Sequence, residues 1–339
     1  MKVLLTGSQG FIGGYLVKEL LDHGYEVVGI DDYSKYGRLD KEHDRHPNFS
    51  FYELDLTSST FEDLLYEIDF VIAGAAKIGG ISYFHSIPYD LLATNDRIIA
   101  NTCDSAIKVF GKTRLKRIIY ISSSMVFENV RTFPSVEGEE LLSPPPFSSY
   151  GFQKLAVEYY ARALWDQYKI PFTIVRPFNC VGIGESRARI DKVVKSGNIE
   201  LAMSHVVPDL IQKIAKGQNP LRILGDGKQI RHYTYGGDLA LGIRLALESD
   251  AARNNDFNIS TNESHSVLEL AKKIFQKMNG DSAQLSIVSD KPFPHDVQMR
   301  VPSTRKAEEI LGFRAETTLD QALDEIIPWV VTAVENGII

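Results

Sequence analysis

The chain has 339 residues, 44% hydrophobic and 24% charged, enough to bury a large core as one big domain or two closely joined ones. A net charge of −7 with no lysine- or arginine-rich run gives no field for collecting phosphate backbones, which argues against a nucleic-acid partner. The two cysteines, Cys103 and Cys180, lack metal-ligand or redox spacing, no apolar run is long enough to cross a bilayer, and no charged leader precedes the first strand-like run. The expectation is therefore a cytoplasmic protein with no metal and no membrane contact.

In chain order, β-branched runs predict strands at 2–6, 25–30, 49–53, 70–73, 116–122 and 171–176. The amphipathic stretches Phe11–His23 and Tyr89–Phe110 between them are long enough for right-handed crossovers, so the first half reads as a doubly wound parallel α/β sheet. The first strand enters Gly7-Ser8-Gln9-Gly10-Phe11-Ile12-Gly13, whose glycines permit a tight turn and close approach of backbone N–H groups to a pyrophosphate at a helix start. The second strand ends in Asp31-Asp32, where a carboxylate meets adenosine ribose hydroxyls and repels the extra phosphate of NADP. By the same logic Asp55-Leu56, after the third strand, is placed near the adenine edge.

The fifth strand ends in Ser122-Ser123-Ser124-Met125-Val126-Phe127, at the edge where open α/β sheets carry their chemistry. A stiff loop, Ser143-Pro144-Pro145-Pro146-Phe147-Ser148-Ser149, leads to a helix starting near Tyr150, with its serines available as caps. Tyr150 and Lys154 share one face of that helix; a lysine ammonium beside a phenol favours the phenolate and makes Tyr150 a general acid or base, while Ser123 shares the moving proton. After about residue 180 the rhythm changes to a smaller mixed lobe with strands at Asp256–Ile259 and Leu285–Val288. The division expected is 1–180 for the dinucleotide half and 181–339 for the second lobe, with 230–260 returning to the core. The basic stretch Ser186–Leu201, with Arg187, Arg189, Lys192 and Lys195, reads as a solvated insertion.

With Gly74-Ala75-Ala76, Asn95 and Arg176-Pro177-Phe178-Asn179 added, these motifs resemble the extended short-chain dehydrogenase/reductase family, and more narrowly its nucleotide-sugar epimerases, dehydratases and reductases. The resemblance implies a Rossmann-type fold, a tightly held NAD and a nucleotide-diphosphate sugar in the C-terminal lobe. It implies catalysis by Ser123, Tyr150 and Lys154, and a cofactor site of Gly7, Gln9, Gly10, Phe11, Ile12, Gly13, Asp31, Asp32, Asp55, Leu56, Ala75, Lys77, Asn95, Ser122, Tyr150, Lys154 and Pro177. For the substrate it implies Ser124, Asn179, His205, Val206, Arg231, Tyr233 and Arg300. Homodimers in the family form through the helices that correspond to Tyr89–Phe110 and Tyr150–Tyr168.

Dehydratases of the family carry Asp-Glu after the catalytic hydroxyl, where this chain has Ser124-Met125; neither is an acid-base group at neutral pH, so 4,6-dehydration is disfavoured. Ala75–Ile81 and Ser204-His205-Val206-Val207-Pro208 are similar to GDP-fucose synthase, an NADPH-dependent epimerase-reductase whose proton-carrying cysteine is Met125 here. His205 is left to orient a sugar hydroxyl or act alone as an acid. The leading expectation is 4-epimerisation through a transient 4-keto sugar, with a 4-keto-sugar reductase second. A non-catalytic dinucleotide-binding module stands third, since Ser123, Tyr150 and Lys154 are all in place.

Overall fold

The computed structural model describes residues 1–79, 86–189, 194–203, 205–292 and 297–339. Its main sheet is built of β1 (Lys2–Thr6), β2 (Glu26–Asp31), β3 (Phe49–Glu53), β4 (Phe70–Ala73), β5 (Arg117–Ile121), β6 (Phe172–Pro177) and β11 (Asn255–Ile259). The strands lie in the order β3-β2-β1-β4-β5-β6-β11, every neighbour parallel. Parallel strands need cover on both faces. Side chains alternate along β1, so Val3 and Leu5 pack on one side with α1 (Phe11–Asp22) and α6 (Gly236–Glu248), through Leu16, Leu20, Ile243 and Leu247. Leu4 faces the other side, where Ile99 and Cys103 of α2 (Pro88–Val109) and Val157 and Leu164 of α4 (Ser149–Tyr168) close the second layer. Between α2 and α4 in sequence lies the one-turn helix α3 (Glu139–Leu142).

A third core is formed by α5 (Val206–Ala215), α7 (Val267–Asn279) and α9 (Leu319–Glu335), with Ile211, Leu270, Ile274, Leu323 and Ile326 meeting Ile223 of β9 (Leu221–Leu224). β9 pairs with β13 (Ile287–Asp290), and β10 (Ile230–Arg231) pairs with β12 (His265–Ser266). Before these, β7 (Lys195–Ser196) and β8 (Ile199–Glu200) form a short hairpin. The helix α8 (Arg305–Leu311) leads the chain back across the sheet beside β11. Connections from β1 leave toward β2 on one side while β4 lies on the other, so the order reverses at β1 and opens a crevice at the carboxyl ends of β1 and β4.

Within the stretch expected to be a solvated insertion, Ala188 and Arg189 instead pack against the β2–β3 connection. Ala188 buries against Phe11 and Tyr36, the Arg189 amide donates to the Lys35 carbonyl at 2.7 Å, and Arg187 pairs with Glu200 at 3.0 Å. Ala188 is apolar and so finds a partner that charge-based reading overlooked. Lys195 is exposed in β7, and Lys192 lies outside the described residues.

Candidate active site

The crevice is lined first by the glycine loop. Gly7 adopts φ +79°, and a Cβ there would stand 3.0 Å from the Ala75 backbone; a Cβ on Gly13 would drive into the Gly7 carbonyl. Gly10 caps α1 without a side-chain hydrogen bond, and the first turn carries no acid. The unpaired N–H groups and the positive helix end therefore stay available to an anion. Phe11 is buried and Ile12 half-buried, so these two anchor the loop to the core. Thr6 ties β1 to β4 by accepting the amides of Gly74 and Ala75 through Oγ1, both at 3.1 Å, a role its position as the last residue of a strand did not advertise.

Asp31 turns its carboxylate toward the loop: Oδ2 accepts the Gln9 amide at 3.0 Å and Oδ1 the Tyr33 amide at 2.8 Å. Burial raises its pKa, opposed by these two amides. Asp32 is exposed and accepts the Ser34 amide at 2.9 Å, which makes it a turn carboxylate. Asp55 is likewise an exposed turn residue, accepting the Thr57 amide at 2.7 Å, and the Leu56 side chain is buried in the core under α2.

Asn95 spends both amide atoms on the Lys77 backbone, accepting its N–H at 2.6 Å and donating to its carbonyl at 3.0 Å. It holds the loop after β4 rather than reaching outward. Ser122 also faces inward, donating to Glu158 Oε1 at 2.6 Å. Pro177 is buried at the end of β6 beside Ile259.

At the carboxyl end of β5, Ser123 caps a turn by accepting the Met125 amide at 3.2 Å. Ser148 caps α4 by accepting the Gly151 amide at 3.0 Å, so α4 starts where the serine-proline loop predicts. This brings Ser123, Tyr150 and Lys154 together, all buried. Tyr150 is hydrogen-bonded to Ser123; burial raises the phenol pKa, while Ser123 and the charge of Arg300 lower it. Lys154 differs from expectation: its ammonium donates to the Ile121 carbonyl at 2.9 Å, and burial lowers its pKa to about 8. In this state the cation bearing on the phenol is Arg300, because the strand-end carbonyl competes for Lys154.

Met125 packs with Ile87 and Leu91 against Tyr150, with Ile78 and Val297 at the margin, so an apolar wall stands where a dehydratase would need an acid. Ser124 is buried beside it. Across the crevice Asn179, at φ +39°, donates to the His232 carbonyl at 3.1 Å. Arg231 Nη1 donates to the Ile230 carbonyl at 2.8 Å, and buried Tyr233 feels the charge of both Arg231 and Arg300. The charge of Arg300 thus bears on both Tyr150 and Tyr233. His205 stands at the start of α5, immediately before Val206, with Nδ1 2.6 Å from buried Glu185 and its ring 6.1 Å from that of Phe11. Gly80, Ile81 and Ser204 of the segments similar to GDP-fucose synthase lie outside the described residues.

Behind the serines runs a buried ionic network that sequence reading did not detect. Arg176 binds Glu158 through Nε at 2.7 Å and Nη2 at 2.6 Å, and its Nη2 also meets Glu140 and Asp256, both at 2.8 Å. Lys306 reaches Asp256 at 2.6 Å, and half-buried Arg162 lies within 3.7 Å of all three carboxylates. The available signal was Glu158 itself, two turns after Tyr150 on the same face of α4.

A dinucleotide-binding α/β enzyme that moves protons and hydride at a sugar carbon is the class this fold and site define. The chain belongs to the NAD dependent epimerase/dehydratase family, which matches residues 3–260, and NAD is its cofactor. It is 28% identical to UDP-N-acetyl-alpha-D-glucosaminuronate decarboxylase of Bacillus cytotoxicus, over 97% of both chains. It is 26% identical to a putative UDP-glucose 4-epimerase of Methanocaldococcus jannaschii, over 96% of this chain and 97% of that one. Among solved structures, UDP-glucuronic acid 4-epimerase of Bacillus cereus in complex with NAD is similar at a TM-score of 0.78 and 25% identity, covering 98% of this chain and 99% of that chain.

Proposed function

We propose that the protein is an NAD-dependent nucleotide-sugar 4-epimerase acting on a UDP-sugar. The observation that carries this reading is the Ser123–Tyr150 pair at the strand end, with Met125 instead of an acid on the adjoining wall. Ser123 and Tyr150 take the proton of the C4 hydroxyl and return it, and NAD when bound supplies the hydride acceptor and donor. With NAD bound, the C4 hydrogen would leave as hydride while Ser123 and Tyr150 take the hydroxyl proton; after the keto sugar turns over, both would return on its opposite face, so no cofactor is consumed. The turn suits the cofactor: a Cβ at Gly7 or Gly13 would strike the Ala75 backbone or the Gly7 carbonyl and spread the loop, α1 presents uncapped N–H groups, and Asp31 faces the loop. Lys154, held by the Ile121 carbonyl at 2.9 Å, would bind the nicotinamide ribose when the cofactor is present. On the substrate side, Asn179, Arg231, Tyr233 and Arg300, with His205 and Val206, hold the diphosphate and sugar against the lobe built mainly from the residues after 180, apart from α6, β11 and α8, which return to the main sheet. The names of the two relatives and the solved structure given above, each of a UDP-sugar enzyme, support the base.

The test is to incubate the purified protein with UDP-glucose, UDP-glucuronic acid and their N-acetyl counterparts without added NAD(P)H. The expected outcome is interconversion of C4 epimers at constant total UDP-sugar. Turnover only with stoichiometric NADPH consumption would favour the 4-keto-sugar reductase instead, and release of carbon dioxide would place the chain with the decarboxylase.

The outer faces of α2 and α4 support a homodimer. Tyr89 on α2 is 74% exposed, and Leu142, Phe152 and Tyr159 are 88%, 46% and 58% exposed around the groove that α4 forms with the α3–α4 loop. Contiguous exposed apolar surface of this kind marks an interface. Sedimentation at micromolar concentration is expected to show a dimer, and Phe152→Asp with Tyr159→Asp a monomer; a wild-type monomer at that concentration would sink the dimer. Free Cys103 and Cys180 support the reading that it works in the reducing cytoplasm.

A further inference from the structure

The β2–β3 connection is fastened onto the glycine loop. Lys41 Nζ donates to the carbonyls of Gln9 at 2.8 Å and Gly10 at 3.1 Å, while Gln9 Nε2 donates back to Asp44 Oδ1 at 2.9 Å. The Lys41 amide donates to Asp44 Oδ2 at 3.0 Å, closing the turn that carries both side chains. The near end of the connection is held by Arg189, whose amide binds the Lys35 carbonyl and whose guanidinium lies over Gly37.

Two physical consequences follow for an anion arriving at the loop. A glycine-rich turn has many backbone states to lose, and its N–H groups face a pyrophosphate only while the carbonyls point away. An ammonium bonded to two of those carbonyls holds that orientation before the ligand arrives. The second consequence is charge: the carboxylates of Asp31 and Asp44 both stand against the loop, and Lys41 is the cation that bears on both of them. Without it, a diphosphate would enter beside two uncompensated carboxylates.

We propose that Lys41 is a cofactor-site residue, latching the glycine loop in its pyrophosphate-accepting shape and supplying the countercharge that lets Asp31 sit beside a diphosphate. This rests on the glycine loop being the NAD site. Neither the glycine motif nor the strand-end acid contains Lys41, which reaches the loop from the β2–β3 connection.

The test uses the full-length protein freed of nucleotide, titrated with NAD by calorimetry, alongside the melting temperature of the nucleotide-free form. Lys41→Met is expected to raise the NAD Kd roughly 10- to 100-fold, the range of a charge-assisted hydrogen bond. Lys41→Arg should stay within about threefold, since it keeps the charge. Asp44→Asn added to Lys41→Met should recover part of the loss, because it removes one of the two carboxylates. A Lys41→Met protein that binds NAD within twofold of wild type overturns the proposal, and so does a loss matched by Lys41→Arg or unrelieved by Asp44→Asn, which would mark a purely structural role. If the wild type itself shows no saturable NAD binding, the assignment of the loop as the cofactor site fails first, a result separable from any effect of the variants.

Discussion

Tyr150→Phe lowers kcat by about 10²- to 10⁴-fold, the contribution of a positioned general acid-base group, while the NAD content of the purified protein stays at the wild-type level. The ring fills the same space among Met125, Ile87 and Leu91, so neither packing nor the glycine loop is disturbed. What is lost is the hydroxyl bonded to Ser123, the group in the crevice placed to pass a proton to a sugar oxygen. Steady-state turnover with the best UDP-sugar and nucleotide released on denaturation are the two measurements. A Phe variant with kcat within tenfold of wild type would remove Tyr150 from the mechanism and revive a non-catalytic role for the fold.

The largest stability effect is expected at Arg176. Its side chain is fully buried and bound to Glu158, Glu140 and Asp256, with its guanidinium 5.3 Å from the Phe127 ring. Three carboxylates pair with Arg176, Arg162 and Lys306, and the Glu137 carboxyl bears on Lys306 and Asp256 as well, so the network has no cation to spare. Arg176→Met leaves carboxylates buried against too little positive charge, and removing one partner of a buried pair costs about 3–5 kcal/mol. Urea unfolding of the NAD-loaded protein measures this; a loss under about 1 kcal/mol, the range of a surface pair, would refute the network's importance. Arg176→Lys should fall between, because a lysine keeps the charge and loses the two-pronged contact with Glu158.

The same network sets an acid limit. Arg176 and Lys306 hold the Asp256 carboxyl down at about 2, against burial, which acts to raise it. A carboxylate whose folded pKa is depressed adds stability that is fully present above its unfolded pKa of roughly 3.9 and is lost as the pH falls toward the folded value. This contribution therefore declines between about pH 4 and pH 2, and Arg176→Met should shift the start of acid unfolding to higher pH.

Much of the site was legible in the sequence because its signals are local. A strand followed by Gly7, Gly10 and Gly13 has little choice but a tight turn into a helix, and Tyr150 and Lys154 share a face because a helix turns every 3.6 residues. Ser148 before Tyr150 marks the start of α4 by the same short-range logic. An unbroken apolar run such as Val3-Leu4-Leu5 likewise announces a sheet covered on both sides, since each strand has to bury both faces.

What only the tertiary structure decided is which partner each polar group takes. Lys154 is bound to the Ile121 carbonyl and Arg300 bears on Tyr150, although the spacing in α4 pointed to Lys154. Asn95 and Ser122, expected in the cofactor site, are bonded to the Lys77 backbone and to Glu158. Asp31 faces the glycine loop and Asp32 faces solvent, a distinction two adjacent identical residues cannot carry in their letters. These choices depend on strand order and on how two loops meet in space. A buried hydrogen-bonding group is costly to leave unpaired, so it takes the partner that packing brings near, however distant in sequence.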